Sequence, residues 1–149
     1  MLSILKRANH IYIDIRDEDI AQFVVEKITD VLNSVAKSVK GSNIHILGIA
    51  HKKDVDDVWE SPALSIMNIL RLKGAEVTYT DPYIPEINSQ ERNIKSKLLS
   101  KEFLSKVDCS VIVTEHTNFN YDLIVSHSKL IVDTRNALKG INKKPIVRL

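Results

Sequence analysis

The sequence predicts an open α/β domain, Rossmann-like, with a mostly parallel sheet covered by helices on both faces and a helical arm in front of it. Three observations carry this. After Gly41, short β-branched runs alternate with amphipathic segments of helical length, which is the texture of βαβ units. Runs such as Ile44 to Ala50 (IHILGIA) are mostly apolar instead of alternating, as in strands buried on both faces. Turn and cap residues, Ser61-Pro62, Gly74 and Asp81-Pro82, fall between the runs.

The elements follow in order. Residues 2 to 15 give two patterns. Leu2, Leu5, Ala8 and Tyr12 have helical spacing, whereas Ile11, Ile13 and Ile15 alternate. We read a helix that breaks near Asp14. From Asp17 to Lys40 the apolar residues Ile20, Phe23, Val24, Ile28, Val31, Leu32, Val35 and Val39 form one helical stripe that Gly41 stops. Asp17, Glu18 and Asp19 suit its positive N-terminal end. Ile44 to Ala50 is the first strand of the sheet. Ser61 caps a helix with Pro62 in its first turn and Gly74 after its end.

Glu76 to Thr80 is the second strand, and residues 86 to 98 are polar and ambiguous. A short helix over Glu102 to Val107, a strand over Cys109 to Thr114, a helix over Tyr121 to Ser126 and a strand over Leu130 to Asp133 follow, with Ile146-Val147 as a small fifth strand. Right-handed crossovers predict the order second, first, third, fourth. Ligands of open α/β sheets bind where connections diverge, beyond the carboxyl ends of the strands. That places residues 51 to 60 and 114 to 119 at one crevice.

Composition narrows the function. The chain has 149 residues, 44% of them apolar, enough for one domain with a core. Its net charge of +2 comes from 21 basic and 19 acidic residues, a balance that points to neither nucleic acid nor an anionic membrane. One cysteine excludes an internal disulfide and fits a reducing, cytoplasmic setting. No apolar run has the length of a membrane helix, and MLSILKRANH does not read as a signal peptide.

The crevice residues each have a sharp and a plain reading. Lys52 and Lys53 either meet a phosphate or polar sugar, helped by the free N–H groups of the Pro62 helix, or sit in a solvated turn paired with Asp54, Asp56 and Asp57. The three aspartates lack the glycine and distal glutamate of a calcium loop, and His51 with His116 lack metal-site spacing, so we assign no metal. Trp59 is either a stacking platform or a packing anchor. Cys109, in a strand, reads as a buried inert thiol, and no G-x-G-x-x-G or P-loop occurs.

The stretch GIAHKKDVDDVWESPAL (48 to 64) resembles the strand-loop-helix signature that opens the C-terminal domain of the UDP-glucose/GDP-mannose dehydrogenases. KGAEVTYTDPYIP (73 to 85), VDCSVIVTEHTNF (107 to 119) and KLIVDTRNAL (129 to 138) continue the resemblance in register. The DVDD, DPYIP and DTRN pieces look closest to the bacterial UDP-N-acetylhexosamine 6-dehydrogenases, acting on UDP-N-acetylmannosamine or UDP-N-acetylglucosamine.

The resemblance implies NAD-dependent oxidation of a sugar C6 alcohol to a carboxylate in precursor synthesis for cell-surface polysaccharide such as capsule. It also implies that NAD, the catalytic cysteine and the dimer-forming central part belong to other domains, and that this chain resembles the last third of such an enzyme. On that reading residues 1–40 are a helical arm, a remnant of the linking and dimerisation helix, and residues 41–149 are the UDP-sugar-binding domain. Lys52 matches the lysine that contacts the UDP-sugar. His51 stands beside it where the family has an aromatic residue.

Trp59 replaces an arginine that reaches NAD, and an indole cannot supply that arginine's forked hydrogen bonds. Arg135 and Asn136 are expected at a domain interface. The expected partner is a UDP-sugar, with homodimer formation or pairing with the NAD and central domains through the 20–39 helix. The resemblance leaves open a non-catalytic nucleotide-binding or oligomerisation module derived from the family. NAD is expected only through another domain, and the chain alone is expected to be inactive.

Overall fold

The computed structural model describes residues 2–7, 10–15, 17–58, 61–89, 92–141 and 146–149. The sheet has five parallel strands: β3 (Asn43–Leu47), β4 (Glu76–Thr80), β7 (Cys109–Ile112), β8 (Ile131–Asp133) and β9 (Ile146–Arg148). Their order is β4-β3-β7-β8-β9. This is the arrangement the sequence predicts, with the small fifth strand at the edge.

Helices α1 (Asp17–Asn33) and α2 (Pro62–Leu72) cover one face. Helices α3 (Lys101–Lys106) and α4 (Tyr121–His127) cover the other. Alternation along each strand sends side chains to the two faces. Ile44, Ile46, Cys109, Val111 and Val132 meet α1 and α2, while Leu47, Ile112, Ile131 and Ile146 meet α3 and α4. Double coverage is the physical reason these runs are mostly apolar.

The caps follow local chemistry. The Ser61 hydroxyl accepts from the Ala63 N–H at 3.2 Å, with Pro62 at the first helical position. Ser100 and Asn120 accept in the same way from Phe103 and Leu123 at the starts of α3 and α4.

Two parts of the arm differ from expectation. Residues 2–7 and 10–15 form two antiparallel strands, β1 (Leu2–Arg7) against β2 (His10–Ile15), not a helix. The alternation of Ile11, Ile13 and Ile15 is the pattern that prevails, since a strand with β-branched residues at every second position pairs readily. The helix that follows ends at Asn33, not Lys40. Ala36 adopts a left-handed conformation with φ of 61°, and the Lys37 N–H bonds back to the Leu32 carbonyl at 3.0 Å, which closes the helix end.

The stripe on α1 is not a free face either. Ala21, Val24, Val25, Ile28, Val31 and Leu32 are buried in the same core as α2 and the sheet, so the surface expected to pair with other domains through 20–39 is already occupied from within. Phe23 and Val35 remain exposed. The polar segment after β4 makes a second antiparallel hairpin, β5 (Glu86–Ser89) with β6 (Arg92–Lys95), which packs Ile87 and Ile94 against the core.

Candidate functional site

The strands β3, β4, β7 and β8 all end toward one side, and the loops that follow them meet there. β3 stops because Gly48 turns the chain at φ of 83°. A Cβ at Gly48 would lie 2.5 Å from the Thr114 carbonyl oxygen, so only glycine allows the ends of β3 and β7 to come this close. The Thr114 hydroxyl then donates to the Ala50 carbonyl at 2.6 Å, tying the two loop entries together.

A buried carboxylate organises the centre. Oδ2 of Asp81 accepts the N–H groups of Ile49 at 2.9 Å and Ala50 at 3.0 Å and the Nε2–H of His116 at 2.8 Å. Its Oδ1 accepts the Tyr83 N–H at 2.8 Å. His116 Nδ1 in turn accepts the Asp54 N–H at 2.9 Å, so the ring carries its proton on Nε2 and has no nitrogen left for a metal. Asp54 closes the circuit from the surface. Its carboxylate accepts the Thr117 N–H at 2.8 Å and the Thr117 hydroxyl at 2.6 Å, and these bonds hold its carboxyl below the usual range.

The loops 51–58 and 114–119 therefore do come together, but they are laced to each other, and His116 is a fully buried strut instead of a residue facing an open crevice. The open space lies beside them. A cavity of about 400 Å³ is lined by Asp56, Val58, Leu64, Tyr83, Pro85 and Asn88.

The predicted site residues fall as follows. Lys52 and Lys53 are exposed, as a solvated turn requires; among the described residues neither forms an ion pair with Asp54, although the charge of Lys53 helps hold the Asp54 carboxyl low. His51 is half-buried. Its N–H donates to the Asp57 carbonyl at 2.5 Å, while its Nδ1 is shut from solvent without a partner among the described residues. Trp59 lies outside the described residues.

Arg135 bonds through Nε to Oε2 of Glu115 at 2.7 Å; burial pushes the Glu115 carboxyl up, but the guanidinium outweighs it and holds it low. Arg135 also lines a cavity of about 280 Å³ with Phe23, Pro62 and Leu149, on the α1 side. Asn136 is exposed, at φ of 57°. Cys109 is fully buried, its thiol pushed up to about 12 by burial and by Asp108.

Two buried aspartates do work that the sequence does not mark. Asp81 is one. Asp133, fully buried at the end of β8, is the other; it accepts the N–H groups of Arg135, Ala137 and Leu138. The signal available was an aspartate closing an apolar run in both T-D-P and V-D-T.

Residues 45–140 match the model described as the UDP-glucose/GDP-mannose dehydrogenase family, UDP binding domain. The chain belongs to that family.

Among curated relatives of this dehydrogenase-family chain, the UDP-glucose 6-dehydrogenase of Rickettsia conorii is 34% identical over 135 residues, covering 83% of this chain and 30% of that protein. The UDP-N-acetyl-D-mannosamine dehydrogenase of Campylobacter jejuni is 35% identical over 101 residues, covering 65% of this chain and 24% of that protein. A solved structure of a UDP-D-ManNAc dehydrogenase from Pyrococcus horikoshii superposes with a TM-score of 0.68 at 26% identity, covering 88% of this chain and 31% of that one. The chain thus spans between 24% and 31% of the length of these relatives. The UDP binding domain of this family is the part that it matches.

Proposed function

We propose that this domain binds a UDP-sugar as one wall of the active site of a UDP-sugar 6-dehydrogenase. Lys52 contacts the nucleotide sugar, and His51 beside it offers its Nδ1. The observation that carries the reading is Lys52 itself, an exposed ammonium free of described ion pairs on the loop after β3, within the matched span. A cation held by the protein's own carboxylates would be spent; this one is available to a diphosphate. The unpartnered Nδ1 of His51 supports the same placement, because a buried ring nitrogen without a partner costs stability until something supplies one.

Within the whole enzyme the reaction is the NAD-dependent oxidation of a sugar C6 alcohol, as in the relatives named UDP-glucose and UDP-N-acetylmannosamine dehydrogenases. NAD and the nucleophile come from outside these 149 residues, which contain no G-x-G-x-x-G. Arg135 and Asn136 face the companion domain in this reading, with Phe23 nearby.

Calorimetry of the chain with UDP, UDP-glucose and UDP-N-acetylmannosamine tests it. Saturable binding that Lys52→Ala weakens several-fold is expected. No heat with any of the three would overturn the reading and leave a non-catalytic module that kept only the fold.

A further inference from the structure

At the opposite end of the sheet, the last turn of α2, the outer edge of β4 and strand β6 bound a cleft of about 510 Å³. It opens by Glu76, the first residue of β4, whereas the UDP-sugar loops lie beyond Thr80, roughly 15 Å along the strand. Arg71 from α2 and Arg92 from β6 line it, with Leu72, Val77 and Ile94 as its apolar surface. Glu76 is the one carboxylate among the described lining residues.

Among the described residues neither guanidinium has a carboxylate partner. Both cations line the same cleft, and burial and then the charge of Arg92 push Arg71 down from its ordinary value. Like charges kept this way invite an anion.

The backbone adds a donor. β4 is an edge strand. The Glu76 N–H bonds inward to Ser42, and the Thr80 carbonyl accepts from Gly48 on that same side, while the Tyr79 carbonyl accepts from Lys97 on the outer side. Alternation then turns the Val77 N–H outward, at the cleft that Val77 lines. Leu72 is 82% exposed at the rim, an apolar residue with nothing of this chain over it among the described residues.

We propose that this cleft binds a small phosphorylated molecule. Its phosphate sits between Arg71 and Arg92 above the Val77 N–H, and its carbon skeleton lies on Leu72 and Ile94. A carboxylate saturates one guanidinium fork, whereas a tetrahedral phosphate presents oxygens to two forks arriving from different elements and to a third donor. The site is separate from the UDP-sugar loops and stands whether or not those loops bind their ligand.

Titration of inorganic phosphate into the isotope-labelled chain, at ionic strength held constant with chloride, tests the proposal by NMR. Saturating shifts are expected at the Val77 amide and at the Nε–H groups of Arg71 and Arg92. Affinity should fall about tenfold in Arg71→Gln and in Arg92→Gln. Glucose 1-phosphate should bind more tightly than phosphate, and glucose should not bind. Shifts that stay linear, that survive both substitutions, or that are confined to residues 51–58 would overturn it. If Arg71→Gln disturbs the end of α2, the exposed Arg92→Gln decides alone, since that side chain is in no hydrogen bond among the described residues.

Discussion

Nε2 of His116 lies 2.8 Å from Oδ2 of Asp81, and both side chains are wholly shut from solvent. Asp81 also receives three backbone N–H groups, two from the segment after β3 and one from Tyr83. One carboxylate therefore fixes the exits of two strands and, through His116, the loop that carries Lys52. Asp81→Asn replaces an acceptor oxygen by a donor and cannot satisfy all four donors. Urea unfolding should show a loss of about 2–4 kcal/mol. A loss below about 0.5 kcal/mol would show that the carboxylate is not the organiser.

Gly48→Ala should be among the most damaging single-methyl changes in the chain. The new Cβ meets the Thr114 carbonyl oxygen at 2.5 Å and the residue must hold φ of 83°. Backbone cannot retreat as a flexible side chain does, so a destabilisation of about 3 kcal/mol or more is expected from thermal unfolding. Gly140, with open space around its Cβ position, is the control, where the penalty is for φ alone.

His45 gives the fold a pH dependence. Its ring lies between the hydroxyls of Thr78 at 2.6 Å and Thr80 at 2.7 Å, edge-on to Phe103, and burial, then Lys97, lowers its pKa from 6.5 to about 3. The folded state holds this ring neutral, whereas the unfolded chain protonates it below about pH 6.5. Its contribution is complete above that pH and is lost as pH falls toward 3, with a slope of up to about 1.4 kcal/mol per pH unit. Carboxylates held low in the fold, Asp54 among them, release their share only in the more acid range. Stability of the wild type and His45→Gln measured between pH 7 and 5 should therefore diverge in slope, with the variant flatter.

Cys109 should be silent. Fully buried and with its thiol pushed up to about 12, it should react with a thiol reagent only after unfolding. With no reactive thiol and no dinucleotide loop in its sequence, the chain given UDP-N-acetylmannosamine and NAD should form no NADH. Steady turnover would refute the assignment of those parts to other domains.

The sheet was legible because each strand is a local signal. The apolar runs at Ile44, Val77, Val111 and Ile131 lie in strands, and their order β4-β3-β7-β8, with the first strand central, is the one expected. The hairpins were not. In residues 2–15 two periodicities coexist, and among the described residues of 86–95 only Ile87 and Ile94 face the core, too few to stand out from polar neighbours.

The site was legible in position but not in wiring. Lys52 and His51 sit on the loop that the sequence marked. The Asp81–His116 link joins residues 35 apart in sequence, and the Asp54–Thr117 link residues 63 apart. Neither spacing has a periodic signature. Asp81 before Pro82 read as a strand breaker because its partners are mostly backbone N–H groups, which any sequence offers.

The way α1 beds onto α2 sets where this protein can be cut. The matched span begins at residue 45, yet Val24, Val25, Ile28, Val31 and Leu32 lie upstream of it in the shared core, each aliphatic worth about 1.5–3 kcal/mol when withdrawn from water. A clone started at Gly41 would strip the lid from Ile66 and Met67 and yield an insoluble product. The smallest piece fit for ligand work therefore starts no later than Asp17.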